Sequence, residues 1–146
     1  MTPGVTPLVA GNWKMHGTLA EAEALARAVG QGGAGLPAGL LVCPSFLHVA
    51  QVAALLAGSP VAVGAQDCHA TTKGAHTGDI AAPMLRDAGA THVILGHSER
   101  RTDHAETDAA VRAKATSALA AGLVPIICVG ETEAERLDGR AETVVE

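Results

Sequence analysis

Short apolar, β-branched runs alternate along the chain with Ala-rich stretches whose apolar residues recur at helical spacing, the pattern of successive parallel β/α units. Five runs read as strands: Val5 to Ala10, Leu40 to Cys43, Val61 to Ala65, His92 to Leu95 and Val124 to Val129. All are short and nearly continuous in hydrophobicity, so they are expected to be buried on both faces. Between the first two, a helix starts at Thr18, where Glu21 completes a capping box and Leu19, Ala22, Ala26 and Val29 share one face. A second helix is expected from about Phe46 to Leu56, with Ser45 as its cap and Gly58 beyond its end. A shorter one follows from about Ala82 to Ala88, with Pro83 in its first turn. The stretch from about Thr107 to Ala121 is helical up to Gly122, and Thr132 with Glu135 opens a last helix that runs through to Glu146. Gln66 to Asp79 has neither periodicity. An irregular stretch of about fourteen residues is usually functional or interfacial.

Composition narrows the class. At 146 residues the chain is one folding unit. With 48% hydrophobic and 17% charged residues it is not a disordered segment, and with Trp13 and Phe46 as its only large rings its core is built from Val, Leu, Ile and Ala. A net charge of −5 and a pI near 5.7 disfavour nucleic acid and anionic membranes as partners, and no basic cluster alternates with aromatics. Apolar runs such as Leu123 to Val129 are too short to span a bilayer, and no basic segment followed by a long apolar one opens the chain. A soluble cytoplasmic protein is expected. Cys43, Cys68 and Cys128 are odd in number and widely spaced, so free thiols are expected rather than disulfides or a zinc site. The histidines other than His97, namely His16, His48, His69, His76, His92 and His104, show no metal-ligand spacing, so no metal is expected.

In a parallel β/α array, ligands bind beyond the carboxyl ends of the strands. Gly11-Asn12-Trp13-Lys14 follows the first strand, Gly96-His97-Ser98-Glu99-Arg100-Arg101 the fourth, and Gly130-Glu131-Thr132 the fifth. An amide, a cation and an imidazole thus fall on one rim. Such a set can stabilise a substrate oxygen that becomes negative when a proton is removed beside a carbonyl. These blocks, with Gln66, Thr77-Gly78 and Pro125 to Val129, resemble the triosephosphate isomerase family in order and in placement.

The resemblance implies an incomplete (β/α)8 barrel, five parallel strands alternating with helices in a single domain over residues 1–146, ending within the helix after strand five. A complete barrel has eight units in about 250 residues. A doubly wound order of the same strands is the structural alternative. The resemblance also implies interconversion of dihydroxyacetone phosphate and glyceraldehyde 3-phosphate without a cofactor. Asn12 and Lys14 would bind substrate, and His97 would be electrophile and proton shuttle. Glu99 would be a buried carboxylate near the lysine, with Cys128 supporting the site. Thr77 would lie near the tip of a loop that enters a partner subunit. The general-base glutamate, the lid and the phosphate loops belong to the family's later units, so little or no activity is expected of the chain alone. Asp67 and Asp79 stand where the family usually has Asn and Glu.

Arg100 and Arg101 suggest phosphate binding, but loop packing is favoured; Glu131 and Glu133 are read as complementing a helix N-terminus rather than as substitute bases. Two function classes remain. One is an isomerase completed by further copies or by a complementary C-terminal chain. The other is a non-catalytic truncated barrel that self-associates. In either, the strands at Val5 to Ala10 and Val124 to Val129 are open edges that need cover, so a homo-oligomer is expected.

Overall fold

A computed structural model describes residues 4–146. Five strands, β1 (Leu8–Asn12), β2 (Gly39–Cys43), β3 (Val61–Ala65), β4 (His92–Leu95) and β5 (Val124–Ile127), pair in parallel in the order β1-β2-β3-β4-β5. This strictly sequential order rules out the doubly wound alternative, whose strand order reverses at a switch point. Parallel neighbours need a crossover, and crossovers of one hand place the connecting helices on the same side of the sheet. The result is a curled half-barrel with helices outside.

Strand alternation sorts the core. Val42, Val61, Val63, Ala65, Val93 and Leu95 point outward under the helices, joining Ala22, Ala26, Val49, Val52, Leu85, Val111, Ala115 and Ala118 in the main cluster. Leu41, Cys43 and Ile94 point inward and form a smaller cluster against Ala62, Ile126 and Cys128. Expected burial on both faces holds for the central strands and fails at the edges. Leu8 is 48% exposed, Val9 60%, Val124 54% and Ile127 49%, because β1 and β5 have a neighbour on one side only.

Helix α1 (Leu19–Gly32) carries both halves of the expected capping box. The second helix differs from expectation. Its first turn is a 3₁₀ turn, Phe46–His48, and α2 proper is Val49–Leu55; the Ser45 hydroxyl meets His48 Nδ1 at 2.9 Å instead of capping the backbone. Helices α3 (Ala82–Asp87) and α5 (Asp108–Ala120) fall where expected, and between them lies a six-residue α4 (Ser98–Asp103) for which the sequence pattern supplies no bounds. The Thr132 helix does not run to Glu146. It stops after α6 (Glu133–Leu137), Gly139 turns the chain at φ 70°, and α7 (Ala141–Val145) follows.

The first strand begins three residues later than expected, because the ladder with β2 runs from Leu8↔Gly39 to Asn12↔Cys43. Gly11 and Asn12 are therefore the strand's last residues rather than its loop. Leu95 is fully buried on the outer face, whereas Leu137 is 81% exposed. Leu95→Ala is expected to destabilise the fold by about 2–5 kcal/mol and Leu137→Ala by less than about 0.5 kcal/mol. Urea unfolding midpoints of the two variants check this, and equal shifts would show that the helix-covered face is not the core.

Candidate functional site

Asn12 ends β1, and its Oδ1 accepts the Lys14 backbone N–H at 3.0 Å. Lys14 sits at φ 58°, a left-handed conformation costly for a residue with a side chain. Neighbours hold it there. Gln66, just past β3, donates through Nε2 to the carbonyls of Lys14 (2.8 Å) and Cys43 (2.9 Å), and the Trp13 N–H donates to the same Cys43 carbonyl. So directed, the lysine crosses to the loop after β4, where Nζ lies 2.9 Å from His97 Nε2 and 2.7 Å from Glu99 Oε1.

His97 caps α4, and its Nδ1 accepts the Glu99 backbone N–H at 3.2 Å. A neutral ring in that contact carries its proton on Nε2. With the proton on Nδ1 instead, Nε2 would accept from Lys14 Nζ at 2.9 Å; in the Nε2–H form the ring N–H and the ammonium are two donors side by side at the rim. An oxygen that gains negative charge there would be bonded by both. The Lys14 hydrogen bond, opposed by desolvation and helped by the charge of Lys14, holds the Glu99 carboxyl below its ordinary range.

Glu99 departs from expectation: it is not buried. Its side chain is 57% exposed, since among the described residues Lys14 and His97 contact it from the rim and nothing packs over its outer side. Asn12, Lys14, His97 and Glu99 are thus brought together. Cys128 lies just beyond β5 and contributes main chain, its N–H donating to the Leu95 carbonyl and its own carbonyl accepting from Arg101; burial raises its thiol pKa. Thr77 stands apart, exposed on the loop between β3 and α3.

Beneath the rim lies a group of residues that the sequence reading did not assemble. Glu106, with a side chain only 4% exposed, accepts the Gly96 N–H at 3.2 Å and is paired with Lys114 and Arg100. Asp67 completes the quartet, with Lys114 at 2.8 Å and Arg100 at 2.9 Å. Arg101 Nε donates to the Gly96 carbonyl at 2.7 Å, so both peptides flanking Gly96 are fixed. A Cβ at Gly96, whose φ is 68°, would stand 2.8 Å from Val111 Cγ2. The loop that presents His97 is therefore immobilised from below. Burial raises the Asp67 carboxyl; at Glu106 burial also pushes upward, but Lys114 and then Arg100 prevail and hold it low. Arg100, Glu106 and Lys114 are six and eight residues apart and Asp67 lies 33 residues before the first of them, intervals that follow no helical or strand period and so leave no local signal.

The family model for triosephosphate isomerase matches residues 7–146. The triosephosphate isomerase of Acidiphilium cryptum is 63% identical over 138 residues, covering 94% of this chain and 54% of that protein. That of Afipia carboxidovorans is 59% identical over 146 residues, covering 98% and 58%. The crystal structure of triosephosphate isomerase from Bartonella henselae superposes with a TM-score of 0.91 at 45% identity, covering 96% of this chain and 58% of the other. The chain thus spans a little over half the length of these relatives.

Lys14→Met is expected to let the Glu99 carboxyl rise toward its ordinary value, read by carboxyl NMR titration; an unmoved titration would mean that the lysine does not hold it. Glu106→Gln leaves Lys114 and Arg100 short of a buried partner and is expected to cost about 3–5 kcal/mol. The folded carboxyl lies below its ordinary value of 4.5. Its contribution is therefore complete above that value and is lost as pH falls through the folded pKa. The stability gap between wild type and variant should narrow in acid; a gap independent of pH would refute the pairing.

Proposed function

The chain belongs to the triosephosphate isomerase family, and on that premise we propose that it supplies the electrophilic half of an active site interconverting dihydroxyacetone phosphate and glyceraldehyde 3-phosphate. The observation that carries this reading is the convergence of Lys14 Nζ and His97 Nε2, 2.9 Å apart at the rim of a curled parallel sheet. Removal of a proton beside the substrate carbonyl places negative charge on the carbonyl oxygen. Lys14 and the Nε2–H of His97 stabilise that charge, and His97 passes a proton between the two substrate oxygens. Asn12 orders the lysine turn and faces the same rim. Glu99 accepts from the ammonium at 2.7 Å and steers it toward His97.

Among the described residues, Glu99 is the carboxylate hydrogen-bonded to this pair, and it is tied to Lys14 rather than free to act as base. The base, the lid and the phosphate loops are accordingly assigned to the β/α units that the family carries beyond the matched length. The same units would cover Leu8, Val9, Val124 and Ile127 at the sheet edges. A homodimer built on the loop bearing Thr77 fits a second exposed apolar set, Met15 (94% exposed) and Leu47 (85%), on neighbouring strand-end loops. A cytoplasmic location agrees with a triose phosphate substrate; no helix of the described residues is long and apolar enough to cross a membrane.

A non-catalytic, self-associating half-barrel is the second reading, favoured by the exposed edge strands. A coupled isomerase assay separates the two, with the chain alone and mixed with a polypeptide of the remaining family units, the mass being recorded by light scattering on the same samples. Turnover is expected only in the mixture and is expected to be lost with His97→Gln. A compact mixed complex without turnover, or turnover indifferent to His97→Gln, would overturn the catalytic reading. A 14.6 kDa monomer in both samples would overturn the proposed assembly.

A further inference from the structure

The loop between β3 and α3 gathers three side chains that the spacing of the sequence keeps apart. Ligand atoms of His69, His76 and Asp79 all lie within 4.8 Å of one another, a grouping that their spacing along the chain does not show. The backbone prearranges them. His69 forms an isolated parallel bridge with Ala81, and its N–H donates to the Ile80 carbonyl at 2.8 Å, so the start and the end of the loop are clamped together. The Asp79 N–H donates to the His76 carbonyl at 3.1 Å and closes a turn that puts these two side chains on one side. His69 Nε2 is 3.8 Å from Asp79 Oδ2, and the two imidazole rings lie 4.1 Å apart, centroid to centroid.

We propose that His69, His76 and Asp79 bind a divalent transition-metal ion of the zinc, cobalt or nickel class. Two imidazoles and one carboxylate are the donor set that such ions prefer, and they leave a coordination position open to water. Metal-to-ligand distances of about 2.0–2.2 Å require the donor atoms to approach further. In the single chain His76 and Asp79 are exposed and can rotate to do so, and an ion bound there would compete with the dimer proposed above for the same loop. The Thr71 hydroxyl lies 2.8 Å from His69 Nδ1 and accepts from it when the ring carries its proton there, which frees the Nε2 lone pair for the ion. In the absence of an ion the Thr71 N–H donates to Nδ1 at 3.0 Å, and binding exchanges this bond for the one to the hydroxyl. Lys73, the one cation lining the shallow cleft around these residues, opposes the bound charge and keeps the site weaker than a closed structural one. A bound ion would join the two ends of the loop and stiffen the segment that carries Thr77. The inference stands on these residues alone and does not depend on the isomerase reading.

Calorimetric titration of the full chain with Zn²⁺, with histidine ring NMR on the same sample, tests it. One ion per chain is expected, with signals of His69 and His76 moving among the seven histidines. His76→Ala and Asp79→Asn, both exposed and neutral to folding, should each weaken binding roughly tenfold or more. Absence of binding, affinity unchanged in both variants, or movement confined to other histidines would overturn the proposal.

Discussion

Parallel strands laid down in sequential order can be joined only by crossovers of one hand, and most of this structure follows from that. The main crossover helices fall on the same side, so one face of the sheet is covered by Val, Leu and Ala from α1, α2, α3 and α5, and the other is left to three buried residues, Leu41, Cys43 and Ile94. Parallel pairing turns all five carboxyl ends toward one rim, and the curl of the sheet brings the loops after β1 and β4 together across it. Residues distant in the chain, Lys14 and His97, are neighbours because of that curl and for no local reason.

Two tiers of charge serve the rim in opposite ways. The upper one, Lys14 with Glu99, is open to solvent and its ion pair contributes little to folding. The lower one, Asp67, Arg100, Glu106 and Lys114, is largely buried, and its carboxylates reach main-chain and cationic partners from three parts of the chain. The lower tier holds the Gly96 peptides still, while the upper keeps a cation available at the surface. Buried pairing gives position, and exposed pairing leaves chemistry free.

Much of this was legible in the residues. β3 and β4 coincide with their apolar runs, and the two capping boxes, Thr18 with Glu21 and Thr132 with Glu135, are formed as written, because both signals are local. The boundary errors have local causes too. Gly11 and Asn12 carry no strand propensity, yet the ladder with β2 draws them in, and Gly139 ends a helix that hydrophobic periodicity alone would continue. The exposure of Glu99, the buried quartet and the cluster on the β3 to α3 loop were illegible because each depends on which loops meet in space. Asn12, Lys14 and His97 were placed on the rim by their position beyond the strand ends, whereas Glu99, Cys128 and Thr77 came from the likeness of whole blocks to a family, which conveys the outcome of folding without its cause.

Lys14 holds a backbone conformation that glycine or asparagine would adopt at lower cost, and the proposed function asks the same position to carry a long cation. Selection for thermal tolerance alone would discard the lysine, since the replacements that relieve the backbone are those that remove the charge. On the proposed function, the durability of the fold and the chemistry of the rim pull on this residue in opposite directions. A library screened for survival on heating would drift away from the chemistry at this position, while one screened for chemistry would have to recover the lost stability elsewhere in the chain.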